Sequence, residues 1–282
     1  MSSRPVQPGL DRDLLLALSR PRQDPAELVA RIRSHLDSHD GYVAFSGGKD
    51  SLVVLHLALA AEPAVPVVFF DSGLEFPETY AYLNQLARDW NLTGQLRWIP
   101  ARPGLLEVLH ATGAWDHRRT PGPAPDLHQI LIRDPAARAH RAYGPGELWG
   151  VRSAESRGRA ALHGRALRAE ASGCTDACCR PGAPSAARHG GVVRRADGTV
   201  AYSPVWRFSD TEVWGYIRRH GLPVNPVYDK LRRLGAPERA LRVSPMVDGN
   251  ALELGRITWL RRGWPGLFEE LAQVLPRLRE YV

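Results

Sequence analysis

Near the start of the chain, apolar residues recur at helical spacing. Leu14, Leu15 and Leu18, then Leu28, Ile32 and Leu36, predict one or two helices over residues 11–39. Asp24 followed by Pro25 reads as the cap and first residue of the second helix. From residue 42 the pattern changes. The run "YVAF" (42–45) reads as a buried strand, "VPVVFF" (65–70) and "LRWI" (96–99) read as strands, and 50–61, 77–90 and 103–112 read as the helices that follow them. Such alternation predicts an α/β fold: a parallel sheet with helices on both faces. A helix is expected over 126–141, a further strand at "ELWGVR" (147–152), and a hairpin at "VVRRADGTVAY" (192–202) around Asp197-Gly198. "SDTE" (209–212) is a capping box that starts a helix running to about His220. "LPVNPVYDKL" reads as turn-rich, and 169–190 shows no clear periodicity. The tail from about 252 to 282 reads as helical, with Leu267, Leu271 and Leu275 on one face. The division expected is an N-terminal helical segment over 1–39, a nucleotide-binding domain over 40–235 and a helical C-terminal extension over 236–282.

A chain of 282 residues with 44% apolar content is long enough for a substantial core. No apolar run reaches the roughly 18 residues of a membrane span. The first twenty residues lack the basic, apolar and small-residue order of a secretory signal, so a cytoplasmic protein is expected. Three cysteines do not make a disulfide framework. The net charge of +7 is carried almost wholly by arginine, with lysine only at Lys49 and Lys230. The arginine, alanine, glycine and proline content fits the codon bias of a GC-rich genome. It also fits an anionic partner, a nucleotide or a nucleic acid. Against that background a lysine inside a glycine turn stands out, because it supplies a compact, flexible ammonium.

That turn is "SGGKDS", Ser46 to Ser51, between a buried strand and a helix. Free amides and the helix dipole make such a helix start an anion site. Gly47 and Gly48 permit close backbone approach, Lys49 adds a charge, and Ser46 and Ser51 add hydroxyls. It is not a Walker loop: Val43 stands where that motif needs glycine, and Asp50 follows the lysine in place of Ser or Thr. A phosphate chain held as pyrophosphate is the expected ligand.

"SGGKDS" is similar to the pyrophosphate-binding loop of the PP-loop ATP pyrophosphatase superfamily. "FFDSGLEFPETYAYLNQLARDWNL", "ELWGVRSAESRGR" and "SPVWRFSDTEVWGYIRRHGLPVNPVYDK" resemble, in order, three further segments of the phosphoadenosine phosphosulfate (PAPS) reductase family. Together they span roughly residues 40–230. The resemblance implies a Rossmann-like PP-loop fold. It places Ser46, Gly47, Gly48, Lys49, Asp50 and Ser51 on the phosphates of an adenylyl nucleotide (ATP, PAPS or APS), with Asp50 also orienting Mg²⁺. Asp71, Ser72 and Gly73 are expected near the nucleotide, and Glu75 near the same metal. Arg152, Arg157 and Arg159 are expected to bind an anionic substrate group. Tyr228 and Asp229 are candidates for the pocket wall. Pro77 and Glu78 read as a helix start, and Trp206 and Trp214 as core.

Three activities follow. In the first, Lys49, Asp50 and Arg152 serve attack on the α-phosphorus of ATP, adenylating an acceptor for sulfur transfer from a donor protein. In the second, a PAPS or APS reductase uses a cysteine at an unusual place. The third is a component of a DNA or RNA thiolation system. The family's reductases attack sulfate with a cysteine in a Glu-Cys-Gly motif near the C-terminus, whereas this chain has no cysteine after Cys179. Its thiols cluster instead as Cys174, Cys178 and Cys179. With His163 or His189 they suit zinc; as three thiolates they suit an iron–sulfur cluster with one open iron.

Overall fold

The structure, a computed structural model, describes residues 22–113, 116, 125–173, 189–243 and 256–282, together with Leu14, Leu16 and Leu18. Helix α1 (Pro25–His39) is capped as expected: the Asp24 carboxylate accepts the Ala26 amide at 3.0 Å, and Pro25 takes the first position. Strand β1 (Gly41–Ala44) turns through the glycines into α2 (Lys49–Ala61). The unit repeats as β2 (Val67–Asp71), α3 (Pro77–Asp89), β3 (Leu96–Pro100) and α4 (Leu105–Thr112). A π-helical run, Gln129–Arg133, continues into α5 (Asp134–Tyr143) and then β4 (Gly146–Leu148). After α6 (Arg157–Ser172) come the hairpin strands β5 (Val192–Arg194) and β6 (Val200–Tyr202), then α7 (Asp210–Arg219) and α8 (Val227–Arg233). The chain closes with α9 (Arg256–Gly263), α10 (Pro265–Val274) and a 3-10 helix, Pro276–Tyr281.

The strands form one sheet in the order β3-β2-β1-β4-β6-β5. Neighbours are parallel except in the β5–β6 hairpin. The chain moves outward from β1 to β3, then returns to lay β4 on the other side of β1. The β1–β4 boundary is therefore where the connections diverge, and sheets of this kind bind ligands in the crevice outside that point. Val43 pairs with Leu148, so the glycine turn and the segment after β4 leave the sheet side by side.

Helix α2 is apolar on most sides because it is enclosed: the sheet lies under it, and α1 and α7 pack against it. Its Leu52, Val53 and Leu55 join Val43, Phe45, Val67 and Leu148 of the strands in one core. The same core takes in Leu28 and Ile32 of α1 and Phe268, Leu271 and Leu275 near the C-terminus.

Four expectations change. Strand β4 ends at Leu148 rather than Arg152, since the chain there turns onto the first turn of α2. Helix α6 fills a stretch with no apolar stripe: among its residues only His163 is buried, and Ser156 starts it by accepting the Arg159 amide at 3.1 Å. Helix α8 lies within the segment read as turns; the buried Asn225 starts it, its side-chain oxygen accepting the Val227 amide at 3.0 Å. The helical tail is broken at Pro265 and Pro276, and its buried face is Phe268, Leu271, Leu275 and Leu278, with Leu267 only half-buried.

Glu78, in the first turn of α3, joins the tail to the sheet domain. It accepts from Lys230 Nζ at 2.7 Å and from the Trp264 indole at 2.7–2.8 Å. Burial raises its pKa, but the Lys230 and Trp264 hydrogen bonds outweigh this and hold it below the ordinary glutamate value. A group with a depressed pKa adds stability above its unfolded pKa and loses it as pH falls through the folded one. Glu78→Gln should therefore cost about 1 kcal/mol at neutral pH, allowing for the partial exposure of the pair. In urea titrations the difference from wild type should shrink to nothing as the pH falls below the carboxylate range.

Candidate functional site

The turn "SGGKDS" joins β1 to α2. Gly47 sits at φ +72°, in the left-handed region, and Gly48 is the helix N-cap. With glycine there, the N-cap residue itself has no side chain to cap α2. The Ser46 and Ser51 hydroxyls lie 3.1 Å apart, and Ser51 Oγ donates to the Gly48 carbonyl at 3.0 Å. The Tyr228 hydroxyl, from α8, accepts the Lys49 amide at 2.9 Å. Tyr228 is 3% exposed, and burial raises its phenol above the ordinary value. It thus supports the loop backbone as a neutral hydroxyl. Asp229, beside it, is exposed and pairs with Arg232.

Four charged side chains meet over this turn. Lys49 Nζ lies 2.8 Å from Asp50 Oδ2 and 3.0 Å from Asp210 Oδ1. Arg152 Nε lies 2.5 Å from Asp50 Oδ1, and its Nη2 lies 2.7 Å from the same Asp210 oxygen. Arg152 Nη1 donates to the Phe208 carbonyl at 3.0 Å. The side chains of Lys49, Asp50 and Arg152 are only 11%, 17% and 4% exposed, whereas that of Asp210 is 69% exposed. Burial lowers the Arg152 pKa, but Asp50, Asp210 and Glu155 outweigh it and hold the guanidinium above its ordinary value. Burial raises the Asp210 pKa, and Lys49 and Arg152 outweigh that in turn, holding it below the carboxylate range. Both cations therefore converge on one oxygen position at the solvent side of the crevice.

Backbone packing delivers Arg152 there. A Cβ placed on Gly150 would lie 2.6 Å from the Ser51 nitrogen and 2.9 Å from the Asp50 carbonyl carbon, so the segment after β4 rests directly on the start of α2. The Arg152 amide donates to Glu155 Oε2 at 2.9 Å, and Ser153 anchors to the Trp206 carbonyl.

The other expected site residues make contacts of their own outside this four-charge cluster. Asp71 Oδ1 accepts the Gly73 amide and the Tyr80 hydroxyl, both at 2.8 Å. Ser72 Oγ donates to Glu75 at 2.6 Å, so this loop is knit by its own side chains. Arg157 is exposed at the first turn of α6, and Arg159 pairs with Glu155. Trp206 and Trp214 are buried in the core, as read. The Mg²⁺ role expected of Asp50 does not fit this donor set, because both of its oxygens face cations. Cys174, Cys178 and Cys179 lie outside the described residues. Among the described residues no group of three or more His, Cys, Asp or Glu side chains is arranged to hold a metal. His163 packs against Trp206, and His189 faces Glu170 at 3.4 Å. A cleft of about 830 Å³ lies elsewhere, between α1, α6 and the β5–β6 hairpin, lined by residues including Arg31, His35, Arg165, Arg194 and Tyr202.

Asp210 is the site residue that sequence reasoning misses. The capping box accounts for Ser209 and Glu212, which bond each other in the structure. The carboxylate between them is what a helix dipole favours in any first turn, so the sequence carries no separate signal for Asp210.

A Gly150→Ala substitution tests the close approach. The added methyl meets backbone, which cannot rotate away, so a loss of about 1–3 kcal/mol is expected in chemical denaturation. Unchanged stability would contradict the packing.

Residues 41–238 match the profile of the phosphoadenosine phosphosulfate reductase domain. The phosphoadenosine 5'-phosphosulfate reductase of Xylella fastidiosa is 24% identical over 235 residues, covering 82% of this chain and 84% of that protein. The protein of the same name from Xanthomonas campestris is 25% identical over 193 residues, covering 66% of this chain and 64% of that one. Among solved structures, the phosphoadenylyl-sulfate (PAPS) reductase of Candida auris, a phosphate complex, aligns with a TM-score of 0.46 at 18% identity, over 78% of this chain and 94% of that chain. The matched span holds the whole sheet, the glycine turn, Arg152 and Asp210. This chain belongs to the phosphoadenosine phosphosulfate reductase domain family.

Proposed function

We propose that this protein binds an adenylyl sulfate nucleotide, PAPS or APS, at the Ser46–Ser51 turn and reduces its sulfuryl group to sulfite. The observation that carries the reading is the convergence of Lys49 Nζ and Arg152 Nη2 on one oxygen position beside a glycine-capped helix start. Family membership over the whole sheet supports the chemistry. In this reading a thiolate attacks the sulfuryl sulfur. A sulfur–sulfur bond forms as the sulfur–oxygen bond to the nucleotide breaks, and the phosphate leaves with the electron pair. A dithiol protein of the thioredoxin kind then forms a disulfide with the enzyme sulfur and expels sulfite. Its second thiol restores the cysteine, so two thiols are oxidised as sulfate is reduced. Lys49, the loop amides and Arg152 neutralise the departing phosphate. In this reading the nucleophile is one of Cys174, Cys178 and Cys179, the three cysteines of the sequence.

One observation favours a second reading, adenylation. The resemblance puts the reductase nucleophile near the C-terminus, and no cysteine follows Cys179. There the turn holds the pyrophosphate of ATP, and an acceptor oxygen attacks the α-phosphorus, breaking the bond to the β-phosphate and releasing pyrophosphate.

Sulfite release from PAPS and APS with reduced thioredoxin separates the two. Wild type should produce sulfite, and Lys49→Ala should lower the rate by about 100-fold or more. Replacing Cys174, Cys178 and Cys179 together by serine should abolish it. Pyrophosphate from ATP with no sulfite moves the function to adenylation, and neither product overturns both readings.

A further inference from the structure

Asp210 stands where the ligand's charge has to go. Its Oδ1 is shared by Lys49 Nζ at 3.0 Å and Arg152 Nη2 at 2.7 Å. A single oxygen held by an ammonium and a guanidinium is the arrangement that a phosphoryl or sulfuryl oxygen takes. The helix does not need this carboxylate as a cap. Ser209 Oγ accepts the Glu212 amide at 3.2 Å, and Glu212 returns the bond to the Ser209 amide at 2.9 Å. Asp210, at the first position of α7, is therefore free of capping duty and reaches across the crevice instead.

The two carboxylates of the cluster are not equivalent. Asp50 is largely buried and meets Lys49 and Arg152 from within, while Asp210 is 69% exposed and covers them from the solvent side. Two cations and two carboxylates sum to zero, so an anion gains the full pull of Lys49 and Arg152 only where a carboxylate gives way. An oxyanion arriving from solvent reaches Lys49 and Arg152 by displacing the exposed carboxylate, since displacing Asp50 would strand a buried charge.

We infer that Asp210 is an internal competitor for the oxyanion site, so that nucleotide binding exchanges one anion for another and Asp210 sets its affinity. This inference rests on the loop reading given above. Displacement leaves Lys49 and Arg152 each with a donor for the incoming oxygens, while the freed carboxylate moves toward solvent. The competing pairs lie at the solvent edge, where ion pairs are weak, so the effect is a tuning of affinity and not a block.

Calorimetric titration with inorganic pyrophosphate, ATP and adenosine tests it in the full chain. Wild type should bind pyrophosphate, and Lys49→Ala should lose that binding, which establishes the loop as the anion site. Asp210→Asn and Asp210→Ala should each bind pyrophosphate and ATP on the order of three- to tenfold more tightly than wild type. Adenosine, which carries no charge, should bind all three proteins alike. Weaker or unchanged pyrophosphate binding in both Asp210 variants overturns the inference while leaving the loop reading intact, and weaker binding makes Asp210 a positioning residue for Lys49. A gain that extends to adenosine also overturns it, as a general structural effect. Pyrophosphate binding that survives Lys49→Ala overturns the loop reading and the inference with it.

Discussion

The buried contact between Asp50 and Arg152 governs the arrangement of the site. Asp50 belongs to the first turn of α2, directly after the turn that follows β1, and Arg152 to the segment that follows β4, so their ion pair at 2.5 Å joins the two connections at the point where the sheet order reverses. Electrostatics alone does not recommend such a joint. Burying both partners carries a desolvation cost, and two packed apolar side chains would often hold the segments equally well. Apolar side chains would not, however, leave an ammonium and a guanidinium aligned at the crevice mouth. The pair is better understood as positioning than as stabilisation. Asp50 fixes one edge of the guanidinium, the Phe208 carbonyl a second, and the third is presented outward.

Each supporting feature works toward the same geometry. Gly47 takes the left-handed conformation that lets the chain turn directly from strand to helix. Gly150 lets the returning segment lie against that helix start. Tyr228 holds the Lys49 amide from a third element, α8, and Glu78 ties the C-terminal helices to α3. The site is thus assembled from four separate stretches of chain, and it depends on the sheet keeping β1 and β4 adjacent.

The fold was legible where burial imposes a period. The strands β1 and β2 are short apolar runs because helices cover the sheet around them, whereas β3 lies at the sheet edge with no residue buried; α1 and α7 carry explicit caps in Asp24 and in Ser209 with Glu212. It was not legible where that signal fails. Helix α6 buries only His163, so no apolar stripe marks it, and its start depends on Ser156 alone. The segment before α8 has the prolines of a turn, but the buried side chain of Asn225 converts it into a helix start. In the site, the glycine turn was readable because strand, glycines, lysine and helix are contiguous. Arg152 came from resemblance, and its true partners lie in two other segments. Asp210 was hidden because its role depends on a contact across the sheet, which no local pattern encodes. Arg157 and Arg159 share the arginine-rich stretch with Arg152, yet the turn into α6 carries them out of the cluster.

In the proposed function the adenylyl nucleotide's anionic group sits on the turn between β1 and α2. Amide hydrogen exchange, compared with and without PAPS, reads that position directly. Slowed exchange is expected to concentrate at Gly47 to Ser51 and in the segment around Arg152, with little change around the cleft between α1, α6 and the β5–β6 hairpin. Protection confined to that cleft, or none at the glycine turn under saturating nucleotide, would contradict it.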